Sequence, residues 1–368
     1  MPDKKLLITI ILLLIFGFIM SFSASIYFSE ETFTNPFYIT IRQGIYIIIA
    51  LFAGFLVLKI PMSKLEKLSL KLFIFNLILL TLVFLPVIGV EVNGSHRWIS
   101  LGFLNFQPSE MMKLVIILFM AGFLVRQDLH VISSHLGLLR TIFILFILAL
   151  LLLFETDVGA FFIISSTALL MLFVAEVKLK HFLLVIVGGI VSLSLVVFSI
   201  PYTRKRILAF LDPWKDPHGD SYQLIQSLIS IGSGEIFGVG LGGGIQKTSF
   251  LPDAHTDFIF AVIGEELGVI GMLFVIFCFS YIIYRGFIIS KTALTRNKHY
   301  SSYTAYGIST WLAIQVSINI GVNLGLLPTK GLTLPLISFG GSSMVMSVIS
   351  LAILLRIDIE NKRYRNYG

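Results

Sequence analysis

The chain has 368 residues, 57% of them hydrophobic and only 13% charged. A soluble domain of this length carries about 25% charged residues, so most of this surface must have lipid as its solvent. The net charge of +7 is scattered through short loops, the pattern by which membrane proteins set orientation, and argues against a nucleic-acid partner. The single cysteine, Cys278, excludes an internal disulfide.

Apolar runs able to cross about 30 Å of hydrocarbon at about 1.5 Å per residue recur along the chain. In order they are Leu6–Ser25, Gly44–Leu58, Leu72–Val90, Lys113–Val125, Leu138–Phe154, Ala160–Ala175, Phe182–Ile200, Phe258–Tyr284, Tyr306–Leu327 and Leu332–Leu355. The fourth is short and is expected to begin near Pro108. The first resembles a signal peptide, but no convincing cleavage site follows it, so it is read as retained. The expected fold is an all-α polytopic membrane protein of about ten transmembrane helices in one domain, residues 1–368. With the N-terminus inside, the cytoplasmic segments collect most of the 27 Lys and Arg residues. Both termini are therefore expected in the cytoplasm. Two exterior loops stand out: Glu91 to about Glu110, and the long extracytoplasmic loop 201–257 between the seventh and eighth helices.

Three passages carry chemistry. In AHTDFIFAVIGEELG (254–268), Asp257 falls where the long loop enters the eighth helix. Thr256 and Asp257 suit a helix cap. Glu265 and Glu266 follow about 12 Å further on by helical rise, and carboxylates inside a span are costly enough to be functional candidates. Next come VNGSHRWIS (92–100) and FQPSEMMK (106–113). Pro108 fits the first helical position and Glu110 the positive helix end, with Glu110 and Lys113 spaced to pair. The pair either seats the helix end or faces a polar cleft, and Arg97 beside Trp98 suits headgroup level. The third passage, LLPTKGLTLPLISFGGSS (326–343), is broken by Pro, Gly and Ser. It reads as a re-entrant segment beside a wet cavity, or as close helix packing through Gly340, Gly341, Ser342 and Ser343. GVGLGG (238–243) matches a dinucleotide fingerprint only formally. It lacks a βαβ setting and reads as flexible loop backbone near the substrate. The seven histidines show no metal-ligand spacing.

Together, AHTDFIFAVIGEELG, NFQPSE..K and PTKGLTLPLISFGGSS resemble the SEDS family (shape, elongation, division and sporulation) from about Ser23 to Arg356. VNGSHRWI and LDPWKDPHGDSYQLIQSL favour its division branch over its elongation branch, with the sporulation branch a close relative. The resemblance implies a peptidoglycan glycosyltransferase that joins lipid II units at the outer face of the bacterial cytoplasmic membrane. It assigns the essential carboxylate to Asp257, which would deprotonate or orient the acceptor sugar's 4-hydroxyl. That oxygen attacks the donor's anomeric carbon with inversion, and undecaprenyl diphosphate leaves. Partial desolvation would suit the base. Cations near the outer boundary that would stabilise the leaving group are Arg42, Arg97, Lys113 and Lys330. His255, Thr256 and Ser342 are expected at the substrate, and Glu265, Glu266, Asp157 and Pro108 in support. A Mg or Mn ion would help the diphosphate leave, but no ligand set is visible. The family works with a class B penicillin-binding transpeptidase and other divisome membrane proteins. Where it usually has acidic-Pro-Asp-x-Gly, this chain has Glu155-Thr-Asp-Val-Gly159, so a looser turn is expected, with Asp157 also suited to capping a helix. The competing functions are a lipid II flippase, for which Glu265 and Glu266 are the main support, and a scaffold for the transpeptidase.

Overall fold

A computed structural model describes residues 3–85, 88–92, 95–100, 102, 105–126, 135–175, 187, 210–217, 219 and 221–365. The expected seventh span, Phe182–Ile200, apart from Val187, and the first part of the long loop lie outside these residues.

Helix α1 runs Lys4–Phe33, capped where Asp3 accepts from the Lys5 and Leu6 amides, and it ends at Thr34 in the left-handed region (φ 53°). A short turn through Pro36 leads into α2, Tyr38–Lys59. α3 is Met62–Leu82, beginning directly after Pro61. The third span thus sits ten residues before its expected start, because its Lys- and Glu-bearing first turns join the helix. Beyond α3 the chain turns to extended backbone. Strands β1 (Gly89–Val92), β2 (Ser95–Ser100) and β3 (Asn105–Phe106) form an antiparallel sheet in the order β1-β2-β3, so the all-α expectation is corrected at this loop.

α4 begins at Pro108 and runs to Arg126. Proline loses nothing there, since the first helical amide has no partner within the helix. α4 is almost wholly buried between α3, α10, α6 and α11. α5 is His135–Phe154 and α6 Val158–Val174, with Asp157 as the α6 cap. The long loop carries helices of its own. After a 3-10 turn at Pro213–Lys215 come the amphipathic α7, Tyr222–Ser233, and the short α8, Gln246–Ser249. α9 is Ile259–Leu294 with a break at Gly268, and α10 is His299–Asn323. α11 is Gly341–Arg365, later than the expected start at Leu332, because the proline- and glycine-rich stretch before it is irregular. α9 packs along α10, and α11 along α2.

Polar contacts define the two ends of the bundle. At one end Asp3 pairs with Arg285, Arg356 donates to the Leu58 carbonyl, Glu360 caps Met62 and Lys298 donates to the Glu360 carbonyl. The sheet, the α5–α6 turn, the segment before α9 and the segment before α11 converge at the other. Among the described residues, five helices (α1, α2, α4, α9 and α11) are long and apolar enough to cross a membrane.

Candidate functional site

Those converging segments enclose a cavity of about 430 Å³ lined by Arg42, Arg97, Glu110, Lys113, Asp157, Thr256, Asp257 and Ser342 among others. Eight of the expected site residues therefore meet at one place, although they come from six separate segments.

Asp257 is half-buried, two residues before α9. Its local backbone is held by three consecutive carbonyls. The His255 oxygen accepts from the Phe339 amide at 2.9 Å, and the Thr256 oxygen from Ser338 Oγ at 2.5 Å. The Asp257 oxygen accepts from Asn319 Nδ2 at 2.9 Å and Asn323 Nδ2 at 3.1 Å. The segment before α11 and one face of α10 thus fix where the carboxylate starts. Gly331 lies against it: a Cβ there would stand 2.8 Å from Asp257 Oδ2. The broken segment is both cavity wall and close-packed joint, since Gly331, Gly340 and Gly341 line the cavity while Gly341 stands against the Tyr46 ring.

Across the cavity, Lys113 Nζ pairs with Glu110 Oε1 at 2.7 Å, both nearly buried. Lys113 also reaches Gln315 Oε1 at 3.3 Å, and that oxygen accepts from Trp311 Nε1 at 2.7 Å. Glu110 Oε2 is buried with no hydrogen-bond partner among the described residues. Arg97, on β2, donates to the Glu155 carbonyl at 3.1 Å and to the Thr156 carbonyl at 2.7 Å. Arg42 lies over the Tyr38 ring at 5.5 Å.

The α5–α6 turn is tightly closed rather than loose. Thr156 adopts φ 60°, which proline's ring forbids, and the Asp157 amide donates to the Leu152 carbonyl at 2.8 Å. Asp157 caps α6 by accepting from the Ala160 amide at 3.0 Å. Its other oxygen accepts from Ser109 Oγ at 2.8 Å and Gln107 Nε2 at 3.2 Å, tying α4 beside Pro108 to the turn. Glu155 is fully buried and neither carboxyl oxygen has a partner among the described residues. Burial, and next the charge of Asp157, push its pKa up to about 9 despite Arg97, so it holds a proton at neutral pH.

Other expected site residues stand apart from the cavity. His255 is buried between Phe28 and Phe339, and burial lowers its pKa to about 4. The Lys330 ammonium lies over the Phe162 ring at 5.5 Å. Glu265 accepts from the Ile245 and Gln246 amides and from Ser230 Oγ. Glu266 pairs with Lys247 and accepts from Ser23 Oγ. The glycines at 238–243 are likewise not free backbone near a substrate, because Val239 and Gly240 donate to the Glu265 and Glu266 carbonyls. Among the described residues no group of three or more His, Cys, Asp or Glu side chains could hold a metal ion.

The residues that sequence reasoning missed are Gln315, Asn319 and Asn323. Their signal was visible: amides recurring every fourth residue in an apolar helix, all buried, are too costly to lack partners.

The family model described as cell cycle protein (FtsW/RodA/SpoVE) matches residues 4–363. A curated relative from Legionella pneumophila, "Probable peptidoglycan glycosyltransferase FtsW", is 48% identical over 100% of this chain and 93% of its own. The protein of the same name from Coxiella burnetii is 45% identical over 98% and 97%. Among solved structures, a chain from work on a peptidoglycan synthase complex that coordinates polymerization and crosslinking has a TM-score of 0.79, 27% identity and 98% coverage of both chains. The rod shape determining protein RodA of Thermus thermophilus has a TM-score of 0.71 at 25% identity, covering 98% of this chain and 97% of its own. With its apolar spans and a family match along nearly its whole length, the chain is a multi-pass membrane protein that belongs to the FtsW/RodA/SpoVE family of cell cycle proteins.

Proposed function

We propose that this protein is the division-type peptidoglycan glycosyltransferase, joining lipid II disaccharides into glycan and releasing undecaprenyl diphosphate. The observation that carries the reading is Asp257, half-buried at a cavity whose other walls bring Arg42, Arg97 and Lys113. Glu110 and Asp157 in the same lining are engaged with Lys113 and with the α6 amide, Ser109 and Gln107, and a half-buried carboxylate sharing a cavity with three cations suits a reaction in which a base takes a hydroxyl proton while a diphosphate leaves. Asp257 serves as the base, its position held by the pinned carbonyls of 255–257. Lys113 and the arginines receive the developing negative charge, and Glu110 keeps Lys113 aimed. Thr256 and Ser342 line the same cavity and offer hydroxyls to the sugars. Inversion at the donor follows from attack opposite the leaving oxygen.

About ten helices cross the bacterial cytoplasmic membrane in this reading, with both termini inside and the cavity opening outside. The partners are a class B penicillin-binding transpeptidase and other division-site membrane proteins. The transport alternative leaned on Glu265 and Glu266, and both are occupied in binding the loop to α9 and α1.

The test is glycan polymerisation from purified lipid II, with the transpeptidase present and its active-site serine disabled. Wild type should make polymer, and folded, partner-bound Asp257→Asn should make none. Equal polymer from both would remove Asp257 from the chemistry. Translocation of lipid II without polymer from either would replace the polymerase by a flippase.

A further inference from the structure

The part of the long loop between α7 and α8 does not cover the cavity. It is built into the break in α9. At Gly268 (φ 65°, ψ −162°) the helical path is lost. Val239 and Gly240 donate to the Glu265 and Glu266 carbonyls, while Val269 and Ile270 donate to those of Glu235 and Ile236. The backbones meet so closely that a Cβ on Gly238 would lie 2.1 Å from the Glu266 oxygen, and one on Gly234 1.9 Å from the Gly264 oxygen. Backbone groups released by a break are satisfied this completely where water is scarce. Lys247, at the end of the segment, is buried and paired with Glu266, with Ser23 completing the contact.

The opposite face is apolar and open. Ile236, Phe237, Val239, Leu241 and Ile245 are each between 49% and 78% exposed, an unusual concentration for a loop in water. Two inter-helix contacts fix its level. Asp3 of α1 pairs with Arg285 of α9, and Ser23 of α1 bonds Glu266 of α9. Twenty residues of unbroken α1 separate them, about 30 Å of helix, which is the thickness of the hydrocarbon layer. The second contact, and the loop bonded beside it, therefore lie at the far boundary of a membrane whose near boundary is the first. From there the apolar face runs on without interruption into exposed Val269, Ile270 and Leu273 on the α9 span.

We propose that residues 236–245 form an interfacial anchor, their apolar side chains immersed among the phospholipid acyl chains of the outer leaflet. Exposed Glu235 stays among the headgroups. Insertion of such a face at the headgroup–acyl boundary follows the energetics of interfacial segments. Because the anchor is bonded to α9, whose first turn follows Asp257, it sets the height of that carboxylate above the hydrocarbon. The proposal concerns the membrane level of the loop and stands whether or not the polymerase reading holds.

The test uses the full chain in a Cys278→Ser background, with Phe237→Cys or Leu241→Cys carrying an environment-sensitive fluorophore. Exposed Lys215, as Lys215→Cys, serves as the water-facing control. The protein is reconstituted in phosphatidylcholine–phosphatidylglycerol vesicles. At 237 and 241 emission should be blue-shifted, and quenching by nitroxides on the acyl chains several-fold stronger than at 215, with aqueous iodide showing the reverse order. Both side chains are exposed, so neither substitution removes core packing, and agreement of the two positions guards against a local defect. Iodide quenching equal to that at 215 would overturn the anchor. Loss of acyl quenching on adding an undecaprenyl lipid, or the transpeptidase's membrane segment, would assign the face to that occupant and overturn the choice of phospholipid.

Discussion

The Glu110–Lys113 pair allows the sharpest separation of stability from chemistry. At 2.7 Å, with side chains 9% and 1% exposed, their attraction is about 6 kcal/mol at an effective dielectric constant of about 20. Desolvating two ions costs several kcal/mol each, so the intact pair is close to neutral in stability, while removing one partner costs about 3–5 kcal/mol. Lys113→Met therefore leaves a buried carboxylate whose second oxygen already lacks a partner, and Tm should fall on the order of 10 °C. Adding Glu110→Gln should return most of that loss. Polymerisation should stay down by about 10²–10³-fold in both variants, the usual cost of removing one group that receives developing charge. Thermal unfolding in detergent, followed through Trp311 beside Gln315, gives the first quantity, and glycan synthesis from lipid II the second. A double variant that polymerises like wild type would refute the role given to Lys113. A single variant as stable as wild type would refute the buried-pair argument.

Three other positions give independent checks. His255 stays neutral in the fold down to about pH 4, whereas the unfolded chain takes up a proton near pH 6.5. The stability this residue supplies is complete above pH 6.5 and is lost as pH falls towards 4, by up to about 3 kcal/mol. Tm of His255→Phe should be flatter than wild type over that window. Glu155 behaves oppositely: its proton is retained to about pH 9, so its contribution is complete below about pH 4.5 and declines as pH rises towards 9. Glu155→Gln should remove that alkaline slope in Tm. Gly331→Ala places a methyl group 2.8 Å from Asp257 Oδ2, and the displaced carboxylate should lower polymerisation by about 10²-fold with little change in Tm.

Legibility followed how local the cause was. The start of α4 was readable because Pro108 and Glu110 act within a single helical turn. The meeting of Asp257, Lys113, Arg97 and Ser342 was readable only through a family resemblance, because no local rule places six segments together. The third span was misplaced because apolarity was weighed over helix continuity: the Lys-rich turns after Pro61 are helical, and Gly89–Val92 pairs as a strand. The stretch 238–243 was misread as free backbone, when Gly238 serves close approach to the α9 backbone and Gly240 and Gly242 take up positive φ in the loop. Glu265 and Glu266 were read as carboxylates costly enough to be functional candidates, and the structure gives both of them hydrogen-bond partners. Those partners, Lys247 and the amides of 245–246, lie in a loop whose course the sequence does not show.

The position of the polar groups also separates polymerisation from transport. Gln315, Asn319 and Asn323 form a buried row on the cavity end of α10, and each binds the segments that hold Asp257 or Lys113. Two turns further in, a Cβ on Gly307 would stand 2.6 Å from Ile117 and 2.8 Å from Met171. There α4, α6 and α10 close against one another through apolar side chains with no spare room. A transporter needs a site that both faces can reach near the midplane. The charged and amide side chains that hold the cavity instead stand on one side of this apolar contact, with only hydroxyls such as Thr304 and Ser309 near it on α10, an arrangement suited to chemistry on one side of the membrane. Opening that contact would require three packed helices to separate, and the buried Glu110–Lys113 pair sits directly on one of them.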